Sequence, residues 1–205
     1  MSSRVALFDF DGTLTSRDSL LPFLRRVRGS ARLMLDLVSV SPWLAGYAAR
    51  LIENNEAKEA LLKQCLGGMT MDDIEPIALE FVQTGLPDLL RADTLSRLRE
   101  HQDRGDLCIL VSASLDIYLE PWGRAEGFHH VIASRLEQDE KACITGRLAG
   151  GNCHGMEKAV RVKRLLANLE VSHITAYGDS AGDWPMLALA DQAHWVGKYA
   201  RATRK

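Results

Sequence analysis

Short, wholly apolar runs alternate with longer amphipathic stretches along most of this chain. The run Leu107–Val111 (LCILV), which follows Gly105, is typical of a strand buried in a parallel sheet. The same pattern predicts strands at Arg4–Phe10, Leu107–Val111, Val131–Ala133, Ile174–Tyr177 and Ala193–Val196. Helices are predicted at Asp116–Ala125, Met156–Leu169 and Trp184–Leu189, and a small hairpin at residues 135–150. This alternation predicts an α/β fold: a three-layer core with a parallel sheet covered on both faces.

A long helical stretch, from Asp18 to about Arg104, separates the first two predicted strands. Within it, the spacing of Ile74, Ala78 and Phe81 is that of an amphipathic helix, and Thr70 is a plausible N-terminal cap. The stretch is too long for one crossover between neighbouring strands. We therefore expect residues 16–85 to form a helical cap inserted into a core of residues 1–15 and 86–205.

Composition narrows the possible functions. The chain has 205 residues, a quarter of them charged, and a net charge of −2, as in an ordinary soluble globular protein. Such a balance gives no support to binding nucleic acid through a large basic surface. The four cysteines are far apart and no secretory signal precedes them, so we expect reduced thiols and a cytoplasmic protein. The adjacent pair Cys153 and His154 is only a weak metal-binding signal.

One uncharged stretch, Leu37–Ala49, has two interpretations. It is too short to span a bilayer, which needs about 20 apolar residues. We expect it to be the packed interior of the cap; the alternative is a surface that contacts lipid or a membrane from the cytoplasmic side. Two basic groups are expected to be solvated rather than bound to anionic head groups: Arg25, Arg26, Arg28 and Arg32, and a tail with Lys198, Arg201, Arg204 and Lys205.

Pairs of acids follow two of the predicted strands. Asp9 and Asp11 end the first strand, and Asp179 and Asp183 come directly after Ile174–Tyr177. Carboxylates brought together in this way need a cation or a proton between them. Carboxylate oxygens are also the ligands that Mg²⁺ prefers. Since ligands bind at the carboxyl ends of parallel strands, these acids predict a cation-binding cleft.

Two further features at the same edge of the sheet suit a phosphate group. Ser112 and Ala113 follow the strand Leu107–Val111, where a hydroxyl and backbone N–H groups can meet phosphate oxygens, although a serine also caps a helix. Lys158 lies near the start of a predicted helix, where it opposes the helix dipole unless an anion is nearby. Together with the acids, they predict a cleft that handles phosphate.

The motifs DFDGTLT at residues 9–15, VSAS at 111–114, Lys158 and GDSAGD at 178–183 resemble those of the haloacid dehalogenase-like hydrolase superfamily. The helical insertion is similar to that of its phosphoserine phosphatase-like branch, subfamily IB. The resemblance implies a Rossmann-like core with a helical cap of the C1 type. Within that branch, the apolar cap and the segment Asn152–Leu165 look most similar to the phosphatidylglycerophosphatase C group.

The resemblance also implies a role for each motif residue. Asp9 would be the nucleophile that forms an aspartyl-phosphate, and Asp11 the acid and base. Mg²⁺ would be held by Asp9, the backbone carbonyl of Asp11 and Asp179. The phosphate would be bound by Ser112, Ala113 and Lys158, with Asp183 supporting the metal or the lysine.

The substrate stays open between a lipid phosphate resembling phosphatidylglycerophosphate and a small organic phosphate. A phosphoserine phosphatase is an alternative, although the expected cap motif is absent and Asp18 stands where an early glutamate would be expected. A phosphotransferase or mutase would use the same intermediate. A non-catalytic phospho-receiver also gathers acids around Mg²⁺, but receivers are shorter and lack the helical insertion.

Overall fold

The computed structural model describes residues 3–197, and the predicted basic tail therefore lies outside the described residues. Six strands in this part of the chain form one sheet with the order β4-β3-β2-β1-β5-β6. They are β1 (Ser3–Phe8), β2 (Leu107–Leu115), β3 (His130–Gln138), β4 (Ile144–Ala149), β5 (Val171–Gly178) and β6 (Gln192–Trp195). Every neighbouring pair is parallel except β3 and β4, which form an antiparallel hairpin. The predicted α/β fold with a mainly parallel sheet is confirmed.

Helices surround this sheet. Four of them lie between β1 and the helix that directly precedes β2. Those four are α1 (Leu20–Arg28), α2 (Ser30–Ala48), α3 (Asn54–Leu66) and α4 (Met71–Thr84). The others are α5 (Ala92–Asp103), α6 (Asp116–Ala125), α7 (Met156–Leu166) and α8 (Trp184–Leu187), with short 3-10 turns at Pro87–Leu89 and Ala181–Asp183. The predicted cap of α4 is present: the Asp73 N–H donates to Thr70 Oγ1 and the Thr70 N–H to the Asp73 carboxylate. The division into core and cap at residues 15 and 85 stays a prediction.

Strand boundaries differ from the predicted ones at two functional positions. β1 ends at Phe8 because the next residues turn: the N–H groups of Thr13, Leu14 and Thr15 all donate to the Phe10 carbonyl. β2 continues beyond the apolar run to Leu115, where it pairs again with β3. The VSAS motif therefore lies within the last part of a strand rather than in a loop after it.

Alternate residues of the central strands enter two separate apolar cores. On β1, Ala6 and Phe8 belong to the larger core, which extends under α1 and α4, while Val5 and Leu7 belong to the smaller one. This alternation is what a strand with helices on both faces requires. The arrangement fixes β1 rigidly, and with it the position of the acids that follow it.

The inserted helices also contact the outer strand of the sheet. The Gly68 N–H donates to the Ile144 carbonyl at 2.9 Å, and the Ile144 N–H donates to the Met69 carbonyl at 2.8 Å. A Cβ atom at Gly146 would lie 2.3 Å from the Lys63 Cα, so the backbones of α3 and β4 are in direct contact. The segment after α3 thus pairs with the start of β4.

The expectation that Leu37–Ala49 is cap interior is wrong. Most of this stretch lies in α2, which continues through Pro42, and Val40 is its one buried residue. Val38, Trp43 and Tyr47 are exposed, because α2 packs on α1 and α3 through a single narrow stripe. Within residues 3–197, no helix has both the length and the apolar character needed to cross a membrane.

Candidate active site

The carboxyl ends of β1 and β5 place two acids beside each other. Asp9 follows β1 directly, and its N–H donates to the Tyr177 carbonyl of β5 at 3.0 Å. Asp179 follows the end of β5 in the same way. Because β1 and β5 are parallel neighbours, both side chains emerge at one edge of the sheet.

A lysine joins this acidic cluster. Oxygen atoms of Asp9, Asp179 and Asp183 all lie within 4.8 Å of one another. The Lys158 ammonium, on the first turn of α7, donates to Asp9 Oδ1 at 2.5 Å and to Asp183 Oδ1 at 2.6 Å. Lys158 is only 2% exposed, so its charge is neutralised by these carboxylates rather than by water. The anion predicted near the start of this helix is a protein carboxylate.

Burial and neighbouring charges shift the pKa values in this cluster in opposite directions. Burial raises the pKa of Asp9 to about 7, although the Lys158 ammonium opposes the shift. Burial likewise raises the pKa of Asp179 to about 6. Burial alone would raise the pKa of Asp183 and lower that of Lys158, but neighbouring charges reverse both effects: Asp9 and Asp183 raise the pKa of Lys158, and Lys158 lowers that of Asp183. Lys158 and Asp183 are therefore the firmly charged pair.

Asp183 is fixed by its own loop as well as by the lysine. Its second carboxylate oxygen accepts hydrogen bonds from the N–H groups of Asp179 and Ser180 and from the Ser180 hydroxyl. These bonds close the turn that carries Asp179. Asp183 is thus a structural centre of the GDSAGD motif, in contact with both the turn and Lys158.

Asp11 points away from this cluster toward the start of the inserted helices. Its carboxylate accepts a hydrogen bond from the Ser19 N–H at 2.7 Å and another from the Ser114 hydroxyl. Burial, with a contribution from the nearby Asp18 carboxylate, raises the pKa of Asp11 to about 6. One end of β2 and the start of α1 therefore hold this side chain in place.

The turn that begins at Asp11 requires glycine at its second position. Gly12 has φ of +85°, a conformation that other residues rarely adopt. A Cβ atom there would lie 2.1 Å from Asp179 Oδ2. The backbone of the DFDGTLT motif therefore passes directly over the Asp179 carboxylate.

Ser112 and Ala113 lie on β2 beside the acids. The Ser112 hydroxyl accepts a hydrogen bond from the Ser114 N–H at 3.0 Å, which leaves its own proton available to another acceptor. The Ala113 carbonyl accepts a hydrogen bond from the Lys58 ammonium, which comes from α3 in the helical insertion. Lys58 also donates to Asn152 Oδ1 at 3.0 Å.

Most of these groups line one cavity of about 290 Å³ between the sheet edge and the inserted helices, but Asp179 does not. The cavity brings together Asp9, Asp11, Ser112, Ala113, Lys158 and Asp183, as the motifs predicted. It also includes Lys58, Leu44 and Tyr47, which the motif analysis missed. A single lysine in an amphipathic helix gives no signal in the sequence, because only the tertiary fold brings it here.

The acidic cluster has the donor set for a hard divalent cation. Asp9, Asp179 and Asp183 offer carboxylate oxygens, which suit Mg²⁺. Lys158 donates hydrogen bonds to Asp9 and Asp183 but not to Asp179. The Asp179 carboxylate therefore faces the cluster without a hydrogen bond from the lysine. The thiol of Cys153 is buried against Ile132, and its Sγ lies 3.9 Å from that carbonyl, so the weak metal signal of Cys153 and His154 gains no support.

Comparisons with known proteins agree with this geometry. The family model of haloacid dehalogenase-like hydrolases matches residues 6–188. Protein CicA of Caulobacter vibrioides is 35% identical over 187 residues, which cover 90% of this chain and 82% of that protein. The phosphoserine phosphatase SerB1 of Mycobacterium tuberculosis is 27% identical over 96% of this chain and 65% of its own length. A Bordetella pertussis protein of unknown function has a similar structure, with a TM-score of 0.85 and 26% identity over 99% of this chain and 95% of that one.

Proposed function

This chain belongs to the haloacid dehalogenase-like hydrolase family and is a phosphatase, and from that premise we propose that it hydrolyses phosphate monoesters in two steps through Asp9. The observation that carries the proposal is the pairing of Asp9 with a buried lysine at 2.5 Å, beside two further carboxylates. A nucleophilic carboxylate must meet a dianionic phosphate, and the lysine offsets that repulsion.

In the first step, an Asp9 oxygen attacks phosphorus and the bond from phosphorus to the ester oxygen breaks. Asp11 gives its proton to the departing ester oxygen. Its position supports this role, since Ser19 and Ser114 hold it on the side of the cavity toward the inserted helices. The products of this step are the free alcohol and an aspartyl-phosphate.

In the second step, water attacks the phosphorus atom and the bond to Asp9 breaks. Asp11, now ionised, accepts the proton that the water loses, and inorganic phosphate leaves. Ser112, the backbone of Ala113 and Lys158 bind the phosphoryl oxygens during both steps. Asp9 is then regenerated for another cycle.

We assign Mg²⁺ as the cofactor, held by Asp9, Asp179 and the backbone carbonyl of Asp11, with Asp183 fixing the turn that carries Asp179. When bound, it supplies positive charge that draws the phosphate toward the carboxylates. The roles of the chain's own residues are those described for the two steps.

We further propose that residues 16–85 act as a cap that selects the substrate. From this segment, Leu44 and Tyr47 bring apolar surface into the cavity and Lys58 brings a positive charge. This mixture favours an ester with both an apolar part and a polar or anionic head. A lipid phosphate resembling phosphatidylglycerophosphate fits it, and so does a small organic phosphate that carries an apolar part, whereas phosphoserine has no such part.

The decisive experiment measures phosphate release from phosphatidylglycerophosphate, lysophosphatidate, phosphoserine and several sugar phosphates. Each assay is run with Mg²⁺, with a chelator, and with Asp9→Asn as the blank. Release that needs Mg²⁺ and Asp9 would support the proposal, and the preferred ester would identify the substrate class. Transfer of the phosphoryl group to a sugar in preference to water would instead favour a phosphotransferase or mutase. Stable phosphorylation of Asp9 without turnover would favour a phospho-receiver.

A further inference from the structure

A second cavity lies on the other side of α1 from the catalytic one. Its volume is about 790 Å³, against about 290 Å³ for the catalytic cavity. The helix α1 packs on both α2 and α4, and the cavity opens between the side of α1, the first turns of α2 and the end of α4. Within residues 3–197, Asp18 is the one residue that lines both cavities. The second cavity has the volume of a site for a small organic molecule.

Apolar side chains form the floor of this second cavity. Leu33 of α2, Phe81 of α4 and Leu89 of the following 3-10 turn line it and are buried. Leu21 of α1 also lines it and is 43% exposed. Because covering such side chains removes apolar surface from water, the floor favours a ligand with an apolar body.

Three exposed arginines line the same cavity: Arg17, Arg25 and Arg26. The Arg25 Nε donates a hydrogen bond to Ser30 Oγ at 2.8 Å, which orients the guanidinium and leaves its other nitrogens unused. The Arg26 Nη1 donates to the Glu80 carboxylate at 2.8 Å. Among the described residues, the Arg17 side chain has no hydrogen-bond or ion-pair partner. Arg17 and Arg25 therefore retain N–H donors that suit an anion.

Two aspartates of the cavity do not cancel this positive charge. Asp18 Oδ1 accepts hydrogen bonds from the N–H groups of Leu20 and Leu21 at 3.0 and 3.2 Å, so this carboxylate caps the start of α1. Asp88 is exposed in the 3-10 turn. With three arginines and two aspartates, the lining has a net charge of +1, in a chain whose net charge is −2. This balance favours an anion with a single negative charge over a phosphate dianion.

The second cavity adjoins the two chain segments that connect α1–α4 with the sheet. These segments pair with each other: the Ser16 N–H donates to the Leu89 carbonyl at 2.7 Å, and the Arg91 N–H donates to the Leu14 carbonyl at 2.8 Å. Arg17 continues the first segment, and Leu89 belongs to the second. A ligand in the cavity would consequently contact both connecting segments and the inserted helices.

We propose that the second cavity binds a small organic anion that carries one carboxylate on an apolar body. The carboxylate pairs with Arg17 and Arg25, and the apolar body covers Leu33 and Phe81. This site is separate from the groups assigned to the phosphate ester and goes beyond the proposed reaction. The chain binds the anion whether or not it hydrolyses an ester.

The first test is an NMR titration of the full chain with naphthoate, an aromatic carboxylate, and with its neutral analogue naphthyl methanol. We expect naphthoate to bind with a Kd of about 1 mM or lower, the scale for a ligand of this size. The neutral analogue should bind at least about tenfold more weakly, because it cannot pair with a guanidinium. The amide resonances of Gly29 and Gly85, which line the second cavity, should shift, and that of Gly178 should not. Equal affinity for the two compounds, or no binding of naphthoate, would overturn the proposal.

Arginine variants test the charged part of the site. Arg17→Gln/Arg25→Gln should bind naphthoate at least about tenfold more weakly than the wild type and unfold at the same temperature, since both side chains are exposed. Arg97→Gln/Arg164→Gln removes the same charge from exposed positions outside the cavity and should bind like the wild type. If the two double variants bound naphthoate equally, the assignment of Arg17 and Arg25 would be wrong.

Competition distinguishes the two cavities. Saturating inorganic phosphate, a probe for the catalytic cavity, should leave the affinity for naphthoate within about twofold, and so should Asp9→Asn. Displacement of naphthoate by phosphate would place it in the catalytic cavity and overturn the proposal. A chain that hydrolyses no ester but binds naphthoate through Arg17 and Arg25 would refute the proposed function and leave this site intact.

Discussion

The ammonium of Lys158 lies 2.5 Å from the carboxylate of Asp9, although 149 positions separate the two residues in the sequence. Asp9 ends the first strand and Lys158 begins a helix close to the other end of the chain. Their contact joins α7 to the end of β1 beside the cavity and gives the proposed nucleophile a positive partner.

Replacing Asp9 with asparagine should abolish phosphatase activity and leave the fold intact. The two side chains have nearly the same shape, and Lys158 retains its bond to Asp183. We expect kcat to fall at least about a hundredfold, with an unchanged circular dichroism spectrum. Asp103→Asn, on the exposed surface of α5, is the control and should behave as wild type. More than a few per cent of residual turnover would contradict the assignment of Asp9 as nucleophile.

Asp179 and Asp183 should respond differently to the same change. Asp179 is half-buried and Lys158 does not bind it, so Asp179→Asn should alter metal binding more than stability. We expect the affinity for Mg²⁺, measured by calorimetry, to fall at least about tenfold. Thermal unfolding without metal should change little.

For Asp183→Asn we expect the loss of stability to dominate. The carboxylate is buried and accepts hydrogen bonds from Lys158, Ser180 and the Asp179 N–H, so its neutralisation leaves a buried lysine half-paired. A loss of about 3 kcal/mol in the free energy of unfolding, measured by urea denaturation, is the expected scale. If the two variants had equal stability and equal affinity for Mg²⁺, the distinction drawn between these acids would be wrong.

Lys58 should affect substrate binding more than the chemical step. It reaches from α3 to the Ala113 carbonyl and lines the cavity, and burial lowers its pKa to about 8. Lys58→Met should raise KM about tenfold and change kcat less, as expected when a binding contact is lost. Lys63→Met, an exposed lysine on the same helix, provides the matched control. A large loss of kcat at constant KM would instead place Lys58 in the chemical step.

His101 should contribute a loss of stability as the pH falls from 7.5 to 5.5, opposite in sign to the contributions of Asp9, Asp11 and Asp179, whose pKa values burial raises. The ring is buried between the Asp106 carboxylate at 2.7 Å and the Tyr177 hydroxyl at 2.9 Å, and burial lowers the pKa of His101 below its ordinary value. The unfolded chain therefore binds a proton more readily than the folded one as the pH falls through that ordinary value.

The measurement is the unfolding temperature of the wild type and of His101→Gln across this pH range. Between pH 7.5 and 5.5, the unfolding temperature of the wild type should fall by about 2 °C relative to that of the variant. His130→Gln, which changes an exposed histidine at the start of β3, should follow the wild type. A difference in unfolding temperature between wild type and variant that stays constant across this range would exclude a contribution from His101.

The sequence was sufficient for the fold and for bringing the motif residues together, because three of the four motifs directly follow a short apolar run and the fourth, Lys158, lies in the first turn of a predicted helix. The period of a strand and the parallel arrangement then bring Asp9, Ser112 and Asp179 to one edge of the sheet. The full extent of β2 depended on pairing between strands rather than on the local sequence. β2 extends through Ser112 to Leu115 because it pairs there with β3, which no local pattern reveals.

Two features depended on contacts between distant segments. The orientation of α2 is set by the buried bond between Asp36 and Arg28, and hydrophobicity alone placed its apolar residues on the wrong side. Lys58 enters the cavity only because α3 packs on β4. Both features concern the helical insertion, whose side-chain environment comes from helix packing rather than from a motif.

The pairing of residues 68–70 with the start of β4 has a consequence for expression and engineering. An unpaired edge strand exposes N–H and carbonyl groups to other chains and favours aggregation. The segment after α3 satisfies such groups at Ile144, and α3 covers the adjoining stretch at Gly146. Shortening the insertion to isolate the sheet would therefore expose the edge of β4. We expect the truncated chain to self-associate through this strand before its activity could be measured.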